Sequence, residues 1–384
     1  LKHCEAKQAD CLPGWEAYDE CRREGCDYNT KVEIPANGKH SYVCDVCTTC
    51  GELNPVRYTR EGDNIYFGYW PQTLERDETV VAKLNEIAGT PPLPRDKENP
   101  YNWESHEGTT YMWQKIVIYN GTKYLGVQMN DYRASGVYSL RSYIMKNGYF
   151  TLEVYWFKYE PIKWRILTTS GNSAYIMSDI ALDSFSIQPD RKEENRDGLY
   201  ASYNNSTGVP DGTYANNWEY CFLRQWLNET FYNEVFNKLQ KEIIQTTHLD
   251  NTARSSNPND YPKYYGYGEK AGKNKFADQC KNTDDKIFLL SLRDITTTAY
   301  GFNKDVLAKD PARNLQATDF AKLHGAPMNT NDKKYVTWYT RSPAPANGNQ
   351  GYATFVLDRH AKGAIDSIDL VPDGGVVPAL WITL

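Results

Sequence analysis

Seven of the nine cysteines (Cys4, Cys11, Cys21, Cys26, Cys44, Cys47 and Cys50) fall within the first fifty residues. The spacings Cys21-x4-Cys26 and Cys44-x2-Cys47-x2-Cys50-Gly51 can aim pairs of thiolates from tight turns at one tetrahedral ion, and Gly51 permits the turn. Seven thiols cannot all pair as disulfides inside the segment, whereas His40 raises the donors to eight, enough for two four-ligand zinc sites. One partition gives Cys11, Cys21, Cys26 and His40 to one ion, and Cys4, Cys44, Cys47 and Cys50 to the other. An oxidising compartment would favour disulfides with one thiol left over. Zinc and disulfides therefore both stand as expectations, and either role is structural, since four protein ligands leave no open position for substrate.

The rest of the chain offers less chemistry. His248 precedes Asp250, a pairing that could poise a base, but no nucleophile accompanies it, so a turn histidine is expected. Cys221 lies beside Trp218 and Phe222 on an apolar helical stripe and reads as a buried, inert thiol. Gln188-Pro189-Asp190 could chelate a hard cation, yet it stands alone and is read as loop. Glu153 and Glu160 flank an aromatic run without a separation that sequence can fix. No phosphate-binding loop, dinucleotide fingerprint, HExxH or GxSxG occurs. The expectation is a protein that is not an enzyme and carries no organic cofactor.

Composition narrows the class further. The net charge is -6 with signs interspersed, so no basic run is present to neutralise phosphates, and no nucleic-acid partner is expected. No apolar run approaches the roughly 18 residues that span a bilayer as a helix. The 30 Tyr, 12 Phe and 10 Trp suit a β-rich core or a recognition surface.

The elements that must position these residues are short strands and few helices. Asn54-Pro55 closes the cysteine-rich module, giving domains at 1–55 and 56–384 with an insertion at about 77–155. Ile65, Phe67 and Tyr69 alternate as a strand closed by Pro71. Val80, Val81, Leu84, Ile87 and Ala88 share a helical face stopped at Gly89. Asn120-Gly121 predicts a hairpin with a type I′ turn, and Ser170-Gly171-Asn172 joins strands at Lys163–Thr168 and Ser173–Met177. Trp218, Leu223, Trp226, Leu227 and Phe231 form a stripe capped by Asn216 or Asn217. A further helix is expected from Val235 to Ile244, and others at the Ser291-x-x-Asp294 start and from Thr318 to Gly325. Without βαβ alternation the class is α+β.

Two resemblances sharpen this. "CEAKQADCLPGWEAYDECRREGCDYNTKVEIPANGKHSYVCDVCTTCGE" resembles the short Cys-rich repeats beside surface domains of anaerobic bacteria, here a small zinc-ribbon-like module. "YFGYWPQTL", "YWFKYEPIKWRIL", "FLRQWLNETFYNEVF", "DFAKLHGA", "WYTRSP" and "GGVVPALWITL" resemble, in order, a bacterial surface-domain family of unassigned function. That family is similar to C-type-lectin-like domains and to targets of diversity-generating retroelements. The resemblance implies a secreted or cell-surface protein whose first and last strands meet, pairing Ile65–Tyr69 with Ala379–Thr383. It also implies a binding face between the RSP and G-V-x-P-A-L landmarks, residues 343–375, formed by Asn347, Asn349, Gln350, Tyr352, Asp358, Arg359, His360, Asp366 and Asp369. The function expected is ligand recognition or adhesion, with a protein or glycan ligand on another surface as partner. The alternative is a structural subunit of a bacterial surface appendage or sheath that self-assembles into a homo-oligomer or filament.

Overall fold

The computed structural model describes residues 1–89, 111–129, 141–151, 153–196, 199–252, 279–305, 308, 310–328, 334–344, 352–357, 364–368 and 374–384. Aromatic and β-branched runs form an eight-stranded sheet and a five-stranded sheet, with short helices between, a mixed α+β chain. The strands that matter below are β1 (Asn64–Leu74), β2 (Tyr111–Tyr119), β3 (Thr122–Met129), β4 (Val154–Ser170), β5 (Ser173–Ser178), β6 (Asp183–Phe185), β7 (Phe288–Leu289), β8 (Trp338–Ala344), β9 (Tyr352–Leu357), β10 (Ala364–Ile368), β11 (Gly374–Val376) and β12 (Pro378–Thr383). The helices are α1 (Glu78–Ala88), α2 (Phe222–Trp226) and α3 (Asp319–Leu323).

The larger sheet is organised by β4. Its 17 residues pair with β3 and then β5 along one edge and with β1 along the other, all antiparallel. β12 adds to β5 and β7 to β12. The smaller sheet runs β6-β11-β8-β9-β10. Val377 separates β11 from β12, so the C-terminus passes from one sheet into the other within a few residues. Trp164, Phe157, Ile65 and Phe67 from the first sheet share one core with Trp338, Tyr339 and Val376 from the second.

The expected pairing of the first and last strands is not formed. β4 and β5 lie between β1 and β12 in the same sheet. The tight turn around Gly171, at φ 56°, folds β5 directly onto β4, and β12 can pair only with the edge that β5 leaves free. Nor does Pro71 close its strand. β1 continues to Leu74, and Pro71 sits opposite Tyr159 next to a register shift, where a residue without an N–H is tolerated.

Local signals fared better. Asn120 and Gly121 take φ 47° and 73° between β2 and β3, the left-handed pair of a type I′ turn. α1 is capped by Asp77, which accepts from the Thr79 and Val80 amides, and ends at Gly89. Val80, Val81, Leu84 and Ala88 pack on Val117, Tyr124 and Trp156, but Ile87 stays exposed. Asn217 caps the turn at Trp218–Tyr220, and the stripe continues through α2 into a π-helical turn at Leu227–Phe231. The expected helix at 235–244 shrinks to Lys238–Lys241. Asn237 breaks the run with its own capping box, and Ile244 instead bridges to Ile382.

Gly68 marks the tightest approach between β1 and this helical run. Its φ is 68°, and a Cβ there would lie 2.6 Å from Val235 Cγ1 and 2.7 Å from the Phe236 ring. Gly68→Ala combines a left-handed backbone with a clash and is expected to lower stability by about 2–4 kcal/mol. A reduced urea midpoint at unchanged slope is the readout.

Candidate metal centre and C-terminal frame

Within the cysteine module, Tyr42–Val43 and Val46–Cys47 form a hairpin whose two turn residues, Cys44 and Asp45, take φ 49° and 61°. That turn removes Cys44 from the ligand set, and burial pushes its thiol up to about 11. Asp45 faces the large domain, accepting from Gln240 Nε2 at 2.9 Å, Asn54 Nδ2 at 3.0 Å and Tyr69 Oη at 3.4 Å. The hairpin thus works as a dock on one side and a ligand source on the other.

The knuckle follows it. Gly51, at φ 78°, donates its amide to the Cys47 carbonyl at 2.9 Å and returns Cys50 beside Cys47. The ligand atoms of Cys11, His40, Cys47 and Cys50 all lie within 4.8 Å of one another. Cys11 Sγ is 3.6 Å from Cys47 Sγ, and Cys50 Sγ is 3.4 Å from His40 Nδ1. His40 Nε2 sits 3.5 Å from Glu52, an arrangement that orients a ligating imidazole from its far side. The backbone N–H of Cys50, helped by that of Thr49, holds the Cys47 thiol down at about 5. Cys11 is pushed up to about 12 by partial burial and by the neighbouring Cys50 and Cys47 sulfurs. Three crowded sulfurs and an imidazole make a donor set that can hold one metal ion.

The cluster draws members from both expected sets and leaves Cys4, Cys21, Cys26 and Cys44 outside. Cys21 is held below the ordinary thiol range chiefly by Cys26, and Cys4 lies opposite Tyr18 in a separate strand pair. The ambiguity lay in the run Cys44-x2-Cys47-x2-Cys50, which contains two overlapping knuckles. The type I′ turn decides for the second.

At the other end of the chain, the RSP motif proves to be a buried frame. Arg341, 8% exposed, donates through Nη1 to the Leu289 carbonyl at 2.7 Å and to Asp294 at 3.1 Å, and through Nε to Asn251 Oδ1 at 3.1 Å. Ser342 Oγ accepts the Leu292 amide at 2.9 Å, and Trp338 Nε1 donates to the Arg313 carbonyl at 3.0 Å. Gly374 lets the Tyr339 ring lie against β11, since a Cβ there would fall 2.5 Å from it. Trp338 pairs in parallel with Gly375, so the strand that precedes the segment and the strand that follows it are neighbours in one sheet.

Of the expected binding face, Tyr352 falls in β9 and Asp366 in β10, which pair antiparallel. Asn347, Asn349, Gln350, Asp358, Arg359, His360 and Asp369 lie outside the described residues. Gln188 is a structural residue: its Oε1 accepts the Phe222 amide and its Nε2 donates to Ser206 and the Asp190 carbonyl. His248 pairs with Asp284 at 2.8 Å rather than with Asp250, and both side chains are exposed. Cys221 is buried, donates to the Trp218 carbonyl and is pushed up to about 12 by burial. What sequence reading missed is a buried pair, Asp183 with His324, 141 residues apart, a separation at which no local signal could join them.

Residues 172–384 match the family described as a domain of unknown function, DUF6273. No curated protein and no solved structure matches the chain.

Metal analysis after zinc loading should give one ion per chain. Cys11→Ser or Cys50→Ser should abolish binding and Cys4→Ser preserve it; two ions, or loss with Cys4→Ser, would restore the two-site arrangement. Since Cys11 holds its proton at neutral pH, binding must expel that proton, and affinity should rise with pH and fall as pH drops.

Proposed function

The chain belongs to the DUF6273 family of unassigned function, and we propose that it is an extracellular recognition module that binds a protein or glycan on another surface through residues 343–375. The supporting observation is the Trp338–Gly375 pairing inside a buried frame. Both ends of the segment are fixed by Arg341, Ser342, Trp338 and the β11–β12 passage, so side chains between them can change without disturbing the core. Exposed substitutions usually shift stability by under about 0.5 kcal/mol, and specificity can then reside in those side chains, as in antibody loops. The C-type-lectin-like assignment rests on the order of the RSP and G-V-x-P-A-L landmarks, against the interposed β4 and β5. The Cys11–His40–Cys47–Cys50 cluster is assigned to structural zinc, because a thiolate-rich tetrahedral donor set suits that ion.

A second reading, self-assembly into an appendage or sheath, draws on one feature. β10 ends the five-stranded sheet, and an edge strand can pair with another copy. Light scattering separates the two, a monomer favouring recognition and filaments favouring assembly.

The recognition reading is tested by replacing Asn347, Asn349 and Gln350 together with Ala and screening binding to immobilised glycans and cell-surface proteins. Binding should be lost with a stability change under about 0.5 kcal/mol. Arg341→Met, by contrast, should cost about 3 kcal/mol by leaving Asp294 without its cation, held by Ser291 alone. Retained binding in the triple variant would overturn the assignment.

A further inference from the structure

A cavity of about 770 Å³ opens between β1, the β2–β3 hairpin and the helical run that follows Asn217. Its walls are aromatic: Trp70, Trp226, Tyr159 and Phe320, with Trp70 edge-on to both Trp226 and Phe320 at 5.9 Å. Two carboxylates reach it. Asp183, 1% exposed, lies among the buried linings, and Glu234 stands exposed at the mouth. The volume falls in the range of small-ligand sites.

Asp183 is the unusual member. His324 Nδ1 at 2.5 Å and the Ser184 amide at 2.8 Å both engage Oδ1, and Oδ2 has no partner among the described residues. Other buried acids differ. Asp285 uses both oxygens, toward Arg224, Trp218 and Thr283, and Asp310 uses both, toward Ala312, Asn303 and Arg313. Asp183 lines the cavity, so a donor on a bound molecule can reach the unused oxygen. Burial pushes Asp183 upward against the lowering effect of His324, and burial followed by the Asp183 charge pushes Glu234 upward against the lowering effect of Lys123. Two lysines, Lys115 and Lys123, also line the cavity, and Lys123 Nζ already lies 4.2 Å from the centre of the Tyr159 ring.

We propose that this cavity binds an organic ammonium ion, a primary or methylated alkylamine, with its charge between Asp183 Oδ2 and the Trp70 and Trp226 rings. Aromatic faces attract a cation through their quadrupole, and the buried carboxylate supplies the counter-charge. A sugar fits less well, because its many hydroxyls would meet aromatic and apolar walls with Asp183 as the one deep acceptor. Glu234 draws the cation in at the rim. None of the lining residues falls within 343–375, so the site stands or falls separately from the recognition face.

Trp70 and Trp226 make occupancy visible by tryptophan fluorescence. Titration of the full chain with choline and with tetramethylammonium should give a saturable change. The neutral isostere 3,3-dimethyl-1-butanol should bind at least about tenfold more weakly. Asp183→Asn, and independently Trp226→Ala at the less buried wall, should each weaken choline binding by about tenfold or more. Trp226→Ala and Glu234→Gln keep the test informative if the Asp183 variant fails to fold. Equal binding of the isostere, tighter binding of oligosaccharides, or no saturable response to either cation would overturn the proposal.

Discussion

Everything in the large domain hangs on the backbone ladder of β4. A strand of 17 residues with neighbours on both edges must satisfy its N–H and C=O groups along nearly its whole length, because both faces carry large side chains. Trp156, Phe157, Ile162 and Trp164 are buried from it. Pro161 sits in the middle, lacks a donor, and is accommodated by the register shift before Lys163. From this strand the other parts follow. Its N-terminal half holds the β2–β3 hairpin and offers Tyr159 to the cavity. Its C-terminal half holds β5, which holds β12, which ties the C-terminal frame to the core.

Buried charge is handled consistently around that scaffold. Arg341 meets Asp294, Arg224 meets Asp285, and Arg313 meets Asp310 while also donating to the Ile295 carbonyl. Each guanidinium is surrounded by acceptors in the geometry that makes such pairs strong. They bind segments far apart in sequence: Arg341 alone gathers residues near 251, 289 and 294 around β8. Removing one partner from such a pair leaves an isolated buried charge, the expensive outcome. This is why the WYTRSP stretch acts as framework. Asp183 with His324 departs from the rule, having one oxygen unused, and the departure occurs at the wall of a cavity.

Much of the local structure was legible because it depended on residues close in sequence. Asn120-Gly121 fixed its hairpin through the left-handed turn, and Asp77 with Gly89 bounded α1. Thr318, whose Oγ1 accepts the Ala321 amide, and Gly325, at φ 83°, bounded α3. The failures were non-local. Strand order depends on which edge β5 takes, and nothing within Ile65–Tyr69 or Ala379–Thr383 records that. Choosing among overlapping cysteine knuckles needed the backbone sign at Cys44, and a β-turn residue there looks the same in sequence as a ligand. The 235–244 helix failed because Asn237 is a stronger N-cap than a helix-interior residue.

The frame is held by its own buried contacts and strand pairing, without help from the side chains at 347, 349 and 350. Hydrogen exchange of the intact chain, with Asn347, Asn349 and Gln350 as found and replaced by Ala, tests this most directly. Amides of residues 338–342, 374–377 and 379–383 should exchange slowly and identically in both proteins, as expected of strands that open only with the core. Loss of protection across those strands upon substitution would show that the segment helps to hold the frame, and would contradict the claim.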